Sequence, residues 1–193
     1  MARKNSLIRL IKKIFIALDN SLFKLMVKLW YPAFENIYPG EVYYFQIIKR
    51  YFFFQKILRI NGNVPWPVDF RSQVIDWQNI ERNGKISMPG GSMGNYINAT
   101  GGLTIGNNVI IGPNTIISTT NHSPHNHAKF ASKMGVSIGD NVWIGGNCSI
   151  VAGAKIGNNV TVGAGCYIKT EIPDNSIVRQ VKGNLEIVAK REA

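Results

Sequence analysis

Residues 138–173 read IGDNVW IGGNCS IVAGAK IGNNVT VGAGCY IKTEIP, six consecutive hexads that each open on an aliphatic residue. The same phase holds upstream in IGNNVI IGPNTI ISTTNH, residues 105–122. Glycine is second in six of these nine hexads. Position five is small or β-branched in most of them: Val109, Thr115, Val142, Cys148, Ala154, Val160 and Cys166. A period of six is neither helical nor simply alternating. It predicts a coil of three short flat strands, about 18 residues per turn, whose aliphatic position points into a triangular core. Glycine and asparagine at positions two to four suit corners, where the backbone needs positive φ or a tight turn. The expected class is therefore mainly β, a parallel β-helix.

Working outward, MGNYIN from Met93 and ATGGLT from Ala99 keep the phase loosely. Ile80 and Ile86 are out of step with Met93, so the first coil is expected to be irregular. The fifteen residues 123–137, SPHNHAKFASKMGVS, break the phase and are predicted to loop out from a corner. Long excursions from a rigid scaffold usually carry function. Cys148 and Cys166 share position five one turn apart, which suits small interior hydrophobes better than a disulfide or a metal site.

The first sixty residues read differently. Leu7, Ile11, Ile14, Leu18, Leu22, Leu25 and Leu29 form one helical stripe, widened by Leu10, Phe15 and Met26, with Arg9, Lys13, Asn20 and Lys24 opposite. A second apolar, aromatic stretch runs from Tyr43 to Ile60, and Pro32, Pro39 and Gly40 separate the two. Pro65, Trp66 and Pro67 mark the start of the β-helix. The expected organisation is a helical appendage over 1–60, the β-helix over 61–178 with its loop at 123–137, and a tail over 179–193. Residues 1–60 hold eleven Lys/Arg against three acids, a net +8 of the chain's +11. Basic residues interleaved with long aliphatic ones favour an anionic membrane face over nucleic acid as partner. Asp19, Lys24 and Lys28 interrupt the apolar run and no small-residue cleavage site follows, so the segment is expected to be neither a secretory signal nor a membrane span. The chain is expected in the cytoplasm, with residues 1–31 in peripheral contact with the inner membrane face or packed on an oligomer.

The stretch Ile138–Asn175 resembles, almost position by position, the hexapeptide-repeat acyltransferases, in the branch of maltose, galactoside and surface-polysaccharide O-acetyltransferases. Ser118–His122, STTNH, looks like that family's serine/alanine-rich run ending in a catalytic histidine. The resemblance covers residues 61–178 and implies a left-handed coil and a homotrimer with sites between subunits. It further implies acetyl-CoA as co-substrate, no required metal, and direct transfer without a covalent enzyme intermediate. His122 matches the general base, and an imidazole of pKa near 6.5 suits a sugar hydroxyl's proton. Gly146 matches the oxyanion-binding position. Ala164, Lys169 and Thr170 match CoA-contacting positions. Trp143, expected to face outward, belongs to subunit packing or to the acyl-CoA cleft. Asn98 and Asn121 are the acceptor-binding candidates.

Two departures matter. VRQVKGN replaces the family's Gly-x-Pro-Ala ending, which bears on the adenine end of CoA. The basic N-terminal segment looks more like the polysaccharide-modifying members, so the expected acceptor is a sugar, glycan or lipid-linked glycan of capsule, O-antigen or exopolysaccharide synthesis. An N-acetyltransferase of an amino sugar or antibiotic is the nearest alternative. A γ-type carbonic anhydrase would draw its ligands from different coils, whereas His122, His125 and His127 cluster at one loop root with no acid before Asp140. A non-catalytic scaffold accounts for the repeat and the basic helix, but not for a histidine at the loop root. His125 and His127 read as exposed loop histidines. Lys169 also fits a solvated corner lysine, and Gly146 a plain corner glycine.

Overall fold

Position one of every hexad is interior: Ile105, Ile111, Ile117, Ile138, Ile144, Ile150, Ile156, Val162 and Ile168 are all at most 6% exposed. This holds in the computed structural model, which describes residues 2–35, 43–84, 87–181 and 184–190. The chain falls into two compact units, residues 1–67 and 68–193.

In the second unit short strands stack in parallel into three sheets, visited in turn by each coil. The first face holds Gln73–Ile75, Tyr96–Asn98, Ile116–Ser118, Ser149–Val151 and Tyr167–Ile168. The second holds Ile80–Arg82, Leu103–Ile105, Val136–Ile138, Lys155–Ile156 and Glu171–Ile172. The third holds Ile110–Ile111, Trp143–Ile144, Thr161–Val162 and Ser176–Val181. Like residues therefore sit on like. Ile97, Ile117, Ile150 and Ile168 align through one face, and Ile111, Ile144, Val162 and Val178 through another. Each such buried side chain contributes about 1.5–3 kcal/mol of transfer free energy. Cys148 and Cys166 are buried in the same stack and unbridged. The first coil is irregular at Trp77–Asn79, a 3-10 turn after left-handed Asp76, yet Ile80 still pairs with Leu103. Ile86 lies outside the described residues.

The corners divide two jobs that the sequence pattern merges. Positive φ falls on position four at Asn108, Asn141 and Asn159, and on Asn175, which stacks on Asn159 two residues ahead of the phase; all four lie at φ 54° to 58°. Asparagine tolerates this region because its short amide finds local partners. Here the amides bond one another from coil to coil, at 3.0, 3.2 and 3.0 Å. Position two is glycine for a different reason, the closeness of the next coil. A Cβ on Gly145 would lie 2.6 Å from the Ala164 nitrogen.

The phase break is an antiparallel hairpin, Thr120–Ser123 against Asn126–Lys133. It leaves the corner between the first and second faces. The excursion begins three residues ahead of the break read at 123, because Thr120 and Asn121 already pair with Lys133 and Ser132. It ends earlier too: Val136 is back in the core opposite Leu103. Past Ser176–Val181 the chain turns, and Asn184–Lys190 closes the third face as an antiparallel strand. Much of the stretch read as a tail therefore belongs to the β unit.

In the first unit one helix runs from Ala2 to Trp30, with a wide π-turn at Asp19–Phe23. A second, Tyr44–Ile57, lies against it. Asp19 is turned inward, only 2% exposed, and accepts hydrogen bonds from the Tyr44 and Phe45 amides at 3.0 and 2.8 Å. It thus caps the second helix. Phe15 also points inward, stacking edge-on against Tyr43 and Phe45, and so does not widen the leucine stripe. The unit extends past residue 60, since the buried Gln55 amide donates to the carbonyls of Val64 and Trp66 and Ala33 N donates to Pro65 O.

Candidate active site

The residues singled out from sequence fall into two groups on different edges of the prism. Along the edge between the first and second faces lie Asn98, Asn121 and His122, with Lys169 and Thr170 two coils further on. Along the edge between the third and first faces lie Gly146 and Ala164, adjacent in the stack, since Gly165 N donates to Gly146 O at 2.9 Å. Trp143 projects from the third face, 53% exposed, three residues ahead of Gly146. Six residues at about 3.3 Å each separate neighbouring edges by up to roughly 20 Å. Within one copy His122 and Gly146 thus stand on different edges, with the first face between them.

His122 stands on the exposed hairpin with its Nδ1 2.6 Å from the His127 carbonyl oxygen. A carbonyl only accepts, so Nδ1 carries the proton and Nε2 keeps its lone pair. The ring is held by Phe130, its cross-strand partner, at 5.2 Å between centroids. Lys133 in turn places its ammonium 5.5 Å over the Phe130 ring. Phe130 was not legible from the hexad pattern, because the hairpin lies outside it. Regular alternation around a two-residue turn at Pro124–His125 would set His122 against His127, and an irregularity in register between His122 and Ser123 brings Phe130 there instead. The hairpin's charged side chains are Lys129 and Lys133, with no acid between Thr120 and Lys133.

Asn98 is buried at the hairpin's root. Its amide donates to Thr120 Oγ1 at 3.2 Å, and its side-chain oxygen accepts from the Thr100 amide and hydroxyl. Its amide thus braces the hairpin, while its oxygen holds the turn at Thr100. Asn121 donates to Ser132 Oγ at 3.3 Å across the two strands.

On the other edge, the backbone N–H groups of Gly146 and Ala164 donate to no acceptor among the described residues. Successive coils hold them in line. The equivalent residue one coil earlier is Pro113, whose carbonyl accepts from Asn147 and which has no N–H to offer. Gly146 is thus the first open donor after Pro113 on that edge. Burial pushes the Cys148 and Cys166 thiols above the ordinary range, and Cys148 Sγ donates inward to Gly163 O at 3.2 Å. Among the described residues no three His, Cys, Asp or Glu side chains converge as metal ligands.

Parallel coils of three hexads, about 18 residues per turn, define the second unit as a β-helix. Residues 135–170 match the family described as bacterial transferase hexapeptide (six repeats). Over 82 residues the chain is 39% identical to galactoside O-acetyltransferase of Escherichia coli (strain K12), a match covering 41% of this chain and 40% of that protein. The match thus spans about two fifths of that curated relative's length. A hexapeptide-repeat-containing acetyltransferase from Vibrio cholerae O1 biovar eltor, solved with acetyl coenzyme A, shares the fold at TM-score 0.51 and 18% identity, over 92% of this chain and 88% of that one. A maltose O-acetyltransferase from Clostridium difficile 630 aligns at TM-score 0.48 and 23% identity, over 93% and 89%.

Proposed function

We propose that the chain is an acetyl-CoA-dependent O-acetyltransferase acting on a sugar hydroxyl in surface-polysaccharide synthesis, with its sites between the subunits of a homotrimer. The observation that carries this reading is the complementarity of the two edges. One displays an imidazole with a free Nε2, the other a file of unpaired N–H groups, and a neighbouring copy brings the two together. The 39% identity to a galactoside O-acetyltransferase supports the reaction class.

In this reading His122 Nε2 takes the proton of the acceptor hydroxyl as its oxygen attacks the thioester carbon. The Gly146 N–H receives the charge that develops on the thioester oxygen, a contribution of about 3–4 kcal/mol by comparison with other oxyanion holes. The carbon–sulfur bond then breaks, and the proton passes from the imidazolium to the CoA thiolate. Ala164 N–H and the Trp143 ring line the pantetheine path on one copy, and Lys169 and Thr170 meet the CoA from the other. Asn98 and Asn121 serve the acceptor by fixing the hairpin. The chain works in the cytoplasm without a metal, and residues 1–31 touch the inner membrane face, where a lipid-linked glycan is met.

The test is complementation between two inactive variants. His122→Ala should lower kcat about 100- to 10,000-fold with little change in acetyl-CoA affinity. Gly146→Pro removes the N–H at the position Pro113 holds one coil earlier, with a new Cβ 3.1 Å from the Pro113 carbonyl oxygen that a small shift must accommodate. Mixed trimers of the two should recover about a quarter of the sites, since an interface is whole when each copy supplies its intact edge. Thiol release from acetyl-CoA, with galactosides and a panel of glycans as acceptors, reports the activity. Mixtures no more active than the separate variants would place both residues in one subunit's site.

A further inference from the structure

The outer side of the first helix carries nine large aliphatic residues that no described residue of their own unit covers. They include Leu7, Ile11, Ile14, Leu18, Leu25 and Leu29, and all nine are 44–69% exposed. The reason is the pairing of the two helices within this unit. The helix spends its other side, Phe15, Asp19 and Val27, on packing within its own unit. The π-turn at Asp19–Phe23 takes up the extra residue that turns Asp19 inward while Leu18 and Leu22 stay outside. From Leu7 to Leu29 the stripe is roughly 33 Å long at 1.5 Å per residue. That is far more contiguous apolar surface than a soluble monomer ordinarily displays.

The charge around the stripe has one sign. Asp19 is the only acid from residue 2 to residue 34, and it is consumed as a buried cap. Arg9, Lys12, Lys13 and Lys28 are all exposed. We infer that this face docks in the plane of an anionic lipid bilayer. Aliphatic side chains would enter the acyl boundary, and the cations would reach along their stems to the headgroups. A second copy of the chain fits less well. A shared stripe would set like cations beside one another, and Ile8 and Leu10 make the apolar arc broader than the narrow seam of a coiled coil. The helix lies on the bilayer and does not cross it, since among the described residues no helix is long and apolar enough to span. The Asp19 cap and the aromatic packing display the stripe before contact, so docking spends nothing on folding the helix. This inference names the lipid and the docking face, and it stands whether or not acetyl transfer does.

The test uses the full chain, pelleted with vesicles of phosphatidylcholine alone or with phosphatidylglycerol added. The protein should sediment with the anionic vesicles, and high salt should weaken that binding. Ile11→Asp with Leu18→Asp changes only exposed positions and should cut the partition at least about tenfold. Replacing Lys12, Lys13, Lys24 and Lys28 with glutamine should remove the dependence on phosphatidylglycerol. A native protein that stays in the supernatant with both vesicle types would overturn the inference, as would stripe variants that bind unchanged. So would a lipid-free Ile11→Asp, Leu18→Asp protein that sediments as a smaller assembly than the native one, because the stripe would then belong to a second copy. None of these readings involves turnover, so a missing acetyltransferase activity leaves them standing.

Discussion

Asn141 is the second rung of the four-asparagine ladder, and replacing it separates what the corner demands from what the ladder adds. Its backbone sits at φ 55°. Its side-chain oxygen accepts from Asn108 at 3.0 Å, and its amide donates to Asn159 at 3.2 Å. Asn141→Ala keeps a Cβ in the left-handed region and removes the amide that makes it tolerable, at about 1–2 kcal/mol. It also deletes two exposed hydrogen bonds, at about 0.5–1 kcal/mol each. The sum is about 2–4 kcal/mol. Asn141→Gly deletes the same two bonds but suits the conformation, so the cost falls to about 1–2 kcal/mol. The backbone bond from Asn141 N to Asn107 O survives in both. Equilibrium urea unfolding followed by far-UV circular dichroism gives the two midpoints. Equal midpoints for the glycine and alanine variants would refute the claim that corner conformation selects asparagine. Native-like midpoints for both would remove the ladder from the account of stability.

Three further outcomes are expected. Cys148→Ala with Cys166→Ala should keep acetyl transfer, and in the native chain both thiols should resist maleimide until the coil unfolds. Because burial raises both pKa values, the folded state keeps protons that the unfolded thiols lose near pH 8.5. Stability should therefore fall as pH climbs past that point, and unfolding midpoints from neutral to alkaline pH that do not fall would contradict it. Asp19→Ala strips two charge-assisted bonds from a buried cap and should cost the helical unit about 2–4 kcal/mol, with Asp19→Asn milder. Amide exchange at Tyr44 and Phe45 that stays at the native rate would show that the cap contributes little.

The β unit was legible because its core is built by one repeated decision. An aliphatic residue every six positions fixes strand, corner and stacking together, and Ile105 through Ile168 all obey it. The corner roles were blurred because glycine and asparagine both permit tight turns. Only the distance between coils shows that Gly145 is chosen for closeness and Asn141 for conformation. The hairpin was legible as an interruption but not as a structure. Its strands alternate with a period of two, so the hexad phase could not place Phe130 against His122. Phe15 was misplaced for a related reason. A wheel drawn at 3.6 residues per turn carries no π-turn, and it cannot know that the helix has a partner on one side. His122 stood out by type and position, whereas the open N–H groups of Gly146 and Ala164 have no side-chain signature at all.

The strand Asn184–Lys190 reverses direction on the last coil of the third face. A stack of identical parallel coils is otherwise open-ended, and its terminal edge offers the same hydrogen-bonding groups to a foreign coil as to its own. Such an edge is a template for end-to-end fibre growth. Running backwards, the closing strand presents that template in the wrong sense for another forward coil. A protein whose architecture could polymerise along its axis thereby carries its own chain terminator on one face.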